Sequence, residues 1–283
     1  MRVLITGSTG FVGRHLLVML EESHCEVFHL VRTEKGFSRE FVWDFRGPLP
    51  EGLPFCDVVI HLAAHVDFGL NLDIVQYNIN VVSTVKLAAY AKSHNSYFIL
   101  ASMVGVHGED HSPIDIHAPV SPKNNYSMSK YLAEEVVKTF VDNYSILRIC
   151  GIYGLDGPKH LGLNRAISDA VHKKRPPVLK GPGKAKRNYI CVLDVAGWIM
   201  YLVRHFKIDS AAKRERIQEI LYMSGPEIMT IEVYLQTIVD TVFPKMDVKR
   251  IEGDDPMDYV VKASPSPLTL VTFREYIKSL LSC

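Results

Sequence analysis

The chain has 283 residues, 47% hydrophobic and 22% charged, which suits one large α/β domain or a large and a small one and excludes a disordered tail or a fibrous protein. Its 32 Lys and Arg against 31 Asp and Glu leave a formal charge of +1, so no whole-protein field draws it to nucleic acid or an anionic membrane, and neither partner is expected. The apolar stretch 195–203 is far shorter than the roughly 20 residues a membrane span needs.

Residues 3–6 read as a buried strand and lead at once into Gly7, Gly10 and Gly13, then into an amphipathic helix over 11–20. In that context the first glycine serves a tight turn, the second lets backbone approach a pyrophosphate, and the third lets helix and strand pack closely with the helix N-terminus aimed at the anion. A dinucleotide site is expected. The opening MRVLITGSTG runs straight into this loop, so no secretory signal is expected. A second strand over 27–31 ends at Val31 and Arg32, where an NAD site usually carries an acidic residue for the ribose hydroxyls. A guanidinium there suits a 2′-phosphate, so NADP(H) is favoured over NAD(H).

Further strands are expected at 58–62, 98–101 and 146–149, and helices at 72–91 and 129–140. Strands alternating with helices imply an α/β fold, a doubly wound parallel (Rossmann) sheet built from right-handed crossovers. Beyond Gly151 the alternation weakens into a Pro/Gly-punctuated stretch, 154–183, around a helical segment at 164–172, and a run at 219–224 reads as one more strand of the main sheet. The expected organisation is a dinucleotide-binding domain over 1–150 and a smaller, interleaved substrate lobe over 151–283, with about 187–224 returning to the main domain. Five cysteines, Cys25, Cys56, Cys150, Cys191 and Cys283, are scattered without a CxxC pair, which points to a reducing cytoplasm.

Tyr126 and Lys130 stand four residues apart at the start of a helix and so share one face. A phenol with a pKa near 10 exchanges protons poorly at neutral pH, and a nearby ammonium lowers that pKa. Together with GSTGFVG at 7–13, HLAA at 61–64, NVVST at 80–84, YSMSK at 126–130, LRICGIYG at 147–154 and RNYICVLDVA at 187–196, the pair resembles the extended short-chain dehydrogenase/reductase family, of the nucleotide-sugar epimerase/dehydratase type. The resemblance implies an acid/base at Tyr126, a Lys130 that binds the nicotinamide ribose and tunes the phenol, and hydride transfer at the nicotinamide. It also places Phe11 and Val12 along the pyrophosphate, Asp44 and Phe45 near the adenine, Leu62, Ala63 and Ala64 along the cofactor, Asn80 at the site, and Asn164 and Arg187 toward the substrate, Arg187 at its diphosphate. On the residues alone, Ala63 and Ala64 also suit a strand end packed on a helix, and Asn80 also suits backbone bonding.

The sequence departs from the family pattern at two positions. Five residues before Gly108, where relatives carry a Ser or Thr that holds the substrate oxygen, stands Met103, whose thioether cannot donate a hydrogen bond. The neighbouring Ser102 could take that catalytic role only through a bulge or a register shift. Gly151 stands where many relatives carry a substrate-contacting Asn; it either makes room or marks a turn.

HGEDH at 107–111 lies in a loop and is not expected to bind metal, and the basic run 172–187 lacks interleaved aromatics and is read as mostly solvated. His61 is expected to be a core residue or one that supports a site residue from behind. The function expected is a cytoplasmic NAD(P)-dependent oxidoreductase, epimerase or dehydratase acting on a nucleotide sugar, as a homodimer. The alternatives are an NADPH-dependent reductase of a non-nucleotide ketone and a dinucleotide-binding regulatory protein with weak or no turnover because of Met103.

Overall fold

The computed structural model describes residues 1–69, 71–109, 112–209 and 216–281. In chain order it contains β1 (Arg2–Thr6), α1 (Phe11–Glu22), β2 (Glu26–Val31), β3 (Glu40–Val42), β4 (Val58–His61), α2 (Ile74–Tyr77), a π-helical turn (Asn78–Val82), α3 (Ser83–His94), β5 (Tyr97–Met103), α4 (Asn125–Phe140) and β6 (Tyr144–Ile149). These are followed by α5 (Gly162–Lys173), α6 (Val192–Asp209), β7 (Gln218–Met223), α7 (Ile231–Val242) and α8 (Phe273–Ser279).

β1 to β7 form a seven-stranded sheet in the order β7-β6-β5-β4-β1-β2-β3. β1 pairs in parallel with both β2 and β4, β2 with β3, and β4 with β5. The strand order reverses at β1, the position where open α/β sheets bind ligands beyond their carboxyl ends. Val3, Leu4, Ile5, Val58, Val59 and Ile60 are all 0% exposed, which explains why these strands read as continuous rather than alternating apolar runs. Leu4, Val59, Phe98 and Leu100 pack with Leu87, Ala88 and Ala91 of α3 and Ala133 and Val137 of α4. Each large side chain buried this way contributes about 1.5–3 kcal/mol.

Two helices differ from expectation for local reasons. The helix expected over 72–91 starts at Ile74, because Asp73 caps it by accepting the Val75 N–H at 2.8 Å. It then widens into the π turn, where Ser83 donates to the Ile79 carbonyl and Thr84 to the Asn80 carbonyl at 2.7 Å, so hydroxyls compete with the helical ladder. α4 begins at Asn125 rather than 129, because Asn124 and Ser127 form a reciprocal capping box. Tyr126 therefore lies inside the helix, and i to i+4 geometry holds for the pair with Lys130.

By contact the chain divides into two compact units: residues 1–108, 119–148 and 196–221 form the first, and 109–118, 149–195 and 222–283 the second. In the second unit Leu163, Ile167, Tyr234, Ile238, Phe273 and Ile277 make a separate core from α5, α7 and α8. Short pairs brace it: Ile152–Tyr153 runs parallel to Ile190–Cys191, and Lys186–Arg187 antiparallel to Met229–Thr230. Among the described residues no helix is long and apolar enough to cross a membrane.

Candidate active site

In the first unit, β1 ends at a loop whose shape only glycine permits. Gly7 has φ +72°, and a Cβ on it would lie 2.6 Å from the Ala63 nitrogen; a Cβ on Gly13 would lie 2.1 Å from the Gly7 oxygen. The loop encloses a cavity of about 270 Å³ lined by Gly7, Ser8, Gly10, Arg32, Phe45 and Ala63, among others. Ser8 is 1% exposed, and its hydroxyl has no hydrogen-bond partner in the structure, as suits a donor placed for an anion. The cramped backbone, the orphaned hydroxyl and the α1 N-terminus together fit a dinucleotide pyrophosphate.

Leu62, Ala63 and Ala64 also line this cavity, as do Thr33, Lys35, His65 and Ile79, which the sequence did not single out. Phe11 and Val12 open α1 half-buried and are not among the lining residues. Phe45 lines it from a left-handed backbone (φ +66°), its ring 4.6 Å from that of Trp43. Asp44 is exposed and closes a turn by accepting the Arg46 and Gly47 N–H groups at 2.8 and 2.9 Å. Those backbone donors, Gly47 first, hold its carboxyl below the usual range. The Asn80 side chain is 1% exposed and fully engaged, accepting from the His65 N–H at 2.8 Å and donating to the His65 carbonyl and the Ser129 hydroxyl, both at 2.9 Å. It ties the segment after β4 to α4.

Tyr126 is half-buried, with the Phe68 ring edge-on at 5.4 Å, and Lys130 is 3% exposed. Burial pushes the phenol up to about 12, and lowers Lys130 to about 8 against the opposing attraction of Glu134. The expected lowering of the phenol by Lys130 is thus absent here: desolvation dominates, and at neutral pH the phenol is protonated and the amine charged. His61 is a core residue. Its Nδ1 meets Thr6 Oγ1 at 2.6 Å and its Nε2 meets Thr84 Oγ1 at 3.1 Å, and burial, then the Lys130 charge, lowers it to about 3.

The hydroxyl of Ser102, expected as a catalytic candidate, is engaged elsewhere and donates to Oε1 of Glu134, a carboxylate 0% exposed. Arg148 clasps that carboxylate at 2.7 Å through Nη2 and 3.2 Å through Nε, and its Nη1 meets His107 Nε2 at 2.9 Å. This buried network fastens α4 to β5 and β6. Met103 takes the opposite face of the strand, its terminal methyl 2.3 Å from where a Gly105 Cβ would stand. Asp110 and His111 of the HGEDH sequence lie outside the described residues, as does Cys283.

In the second unit, Asn164 is 0% exposed. It accepts from the Gly154 N–H and donates to the Ile152 carbonyl, both at 3.0 Å, closing the turn before α5. Arg187 Nη1 donates to the Lys186 and Met257 carbonyls at 2.7 Å. Arg187 lines two cavities, of about 310 and 680 Å³; Arg165, Arg175 and Lys180 surround the larger. Arg175, Lys180 and Arg187 of the basic run thus line a cavity, Arg175 and Lys180 remaining solvent-exposed.

The model of the NAD dependent epimerase/dehydratase family matches residues 3–214. The chain belongs to that family. A Methanocaldococcus jannaschii protein provisionally named a UDP-glucose 4-epimerase is 31% identical over 215 residues, 69% of this chain and 70% of that protein. The GDP-6-deoxy-D-talose 4-dehydrogenase of Aggregatibacter actinomycetemcomitans is 27% identical over 72% of this chain and 70% of its own length. The fold is that of the Bacillus cereus UDP-N-acetylglucosamine 4-epimerase, with a TM-score of 0.81 at 19% identity over 99% of this chain and 98% of that one. Within this epimerase/dehydratase, Met103 and Gly151 are the departures, and the structure explains the second. The Tyr189 ring fills the space over Gly151, where a Cβ would lie 2.5 Å from Cδ1.

Proposed function

We propose that this NAD(P)-dependent epimerase/dehydratase acts on a nucleotide-activated sugar, exchanging a proton through Tyr126. The observation that carries the reading is the protonated Tyr126 held one helical turn from the charged, buried Lys130 on α4. The bound nicotinamide supplies the hydride acceptor or donor. Tyr126 gives its proton to a sugar carbonyl oxygen, or takes one from the hydroxyl, and Lys130 holds the nicotinamide ribose. With Met103 unable to donate, the substrate oxygen relies on Tyr126 for this contact.

Around the larger second-unit cavity Arg165, Arg175, Lys180 and Arg187 outnumber Asp169 and Asp254, which supports an anionic, nucleotide-bearing substrate with Arg187 on its diphosphate. Arg32 and Lys35 at the dinucleotide cavity support NADP(H) over NAD(H). The exposed apolar side chains Ile74, Val82, Val85, Met128 and Phe140 of α2 to α4 and the π turn support a homodimer through these helices. The free thiols Cys25, Cys56, Cys150 and Cys191 suit a cytoplasmic setting. The test is to incubate the protein with each oxidised dinucleotide and with UDP- or dTDP-glucose, following nicotinamide absorbance and the sugar product by NMR. Turnover with a nucleotide sugar is expected; turnover confined to ketones without a nucleotide would overturn the reading.

A further inference from the structure

Gly151 and Tyr189 form one fitted pair. The ideal Cβ position at Gly151 is 2.5 Å from Tyr189 Cδ1 and 2.6 Å from Cε1, so ring and side chain cannot both be present without movement. The ring is held from the other side as well. Tyr234 lies edge-on at 5.2 Å, its hydroxyl accepts the Tyr189 N–H at 3.2 Å and it donates to the Arg187 carbonyl at 3.4 Å. A Cβ on Gly225 would lie 2.1 Å from the Tyr189 carbonyl oxygen, so that backbone is packed closely too.

Tyr189 and Arg187 are the residues shared by the two second-unit cavities, and so form the partition between them. The two sides differ in chemistry. The larger cavity, where Arg165, Arg175 and Lys180 outnumber Asp169 and Asp254, suits the anionic nucleotide end; the smaller is lined by Leu161, Met257 and Tyr259 with the carboxylates of Glu109 and Asp258 beside Arg187. A pyranose ring offers an apolar C–H face for an aromatic wall and hydroxyls for carboxylate acceptors. Resting on the nucleotide-sugar reading above, we infer that the smaller cavity receives the sugar end and that the Gly151–Tyr189 pair fixes its aromatic wall, making the two residues specificity determinants. The two carboxylates outnumber the one guanidinium, Arg187, which the diphosphate engages, and so make a neutral hexose the fitting class and disfavour a sugar acid.

The test is calorimetric titration of the full-length protein and its variants with UDP, UDP-glucose and UDP-glucuronic acid. The parent binds UDP, binds UDP-glucose more tightly, and prefers UDP-glucose to UDP-glucuronic acid. Tyr189→Ala weakens UDP-glucose by about tenfold or more and UDP by less than about threefold, while Tyr189→Phe, which keeps the ring, stays within about threefold of the parent for both. Gly151→Ala displaces the ring and reproduces the Tyr189→Ala pattern. Parent-like UDP-glucose binding by Gly151→Ala or Tyr189→Ala, equal losses for UDP and UDP-glucose, or a parent preference for the sugar acid each overturn the inference and leave the nucleotide-sugar reading standing. A parent that binds none of the three, nor their dTDP counterparts, removes that reading as well.

Discussion

Lys130→Met should stabilise the ligand-free protein at neutral pH while disabling it. Lys130 is 3% exposed, and burial lowers its pKa from 10.5 to about 8. That interval means the folded state disfavours the ammonium by roughly 3 kcal/mol relative to the unfolded chain. Below pH 8 the group is charged in both states and the full penalty applies. Between about 8 and 10.5 the unfolded chain binds more protons, so the parent gains stability as pH rises, and above 10.5 the penalty is gone. Methionine keeps most of the stem and no charge, so its advantage, up to roughly 3 kcal/mol near neutrality, should shrink through that window. Urea unfolding of parent and variant at about pH 7, 9 and 10.5, with midpoint and slope fitted at each, measures it. A variant less stable than the parent at neutral pH, or a difference independent of pH, would refute the reasoning.

Arg32→Asp should reverse a preference for NADPH over NADH, because Arg32 lines the dinucleotide cavity and a carboxylate there repels a 2′-phosphate; equal affinities in both proteins, read by fluorescence titration, would count against it. Gly13→Ala should abolish dinucleotide binding in the same titration, since its Cβ would meet backbone at Gly7 and Ser8, whereas Gly162→Ala, with open space around its Cβ, should leave binding unchanged. Arg148→Met should cost about 3–5 kcal/mol in urea unfolding by stranding the buried Glu134 carboxylate, and a loss under about 1 kcal/mol would show that the pair contributes little to the hold on α4.

The sheet was legible because its strands are buried on both faces, so runs such as Val3, Leu4 and Ile5 stand out without alternation, and because an added Cβ on the loop glycines would lie as close as 2.1 Å to backbone. α7 was less legible: Thr230 caps it by accepting the Val233 N–H, but the flanking segments carry no periodic strand signal to frame it. The edge strand β3 is three residues long with half-exposed side chains, too short for a pattern. At the site, the spacing of Tyr126 and Lys130 was enough to put both on one helical face, while the roles proposed for them came from the resemblance. The partners of Ser102 and Asn164 were not legible, because the chain brings Glu134 and Gly154 close only on folding, whereas backbone bonding by Asn80 was among the readings of the sequence. The upward shift of Tyr126 was missed for the same reason, since local sequence shows a neighbouring ammonium but not the desolvation that outweighs it.

The most direct test of the central claim is single-turnover hydride transfer in Tyr126→Phe with bound dinucleotide and a nucleotide sugar that the parent turns over. The substitution removes the transferable proton and keeps the ring against Phe68, so dinucleotide affinity should be unchanged while the rate falls by at least about 10²-fold, the lower end of what a positioned acid/base contributes. Hydride transfer at the parent rate would contradict the account and remove Tyr126 from the chemistry.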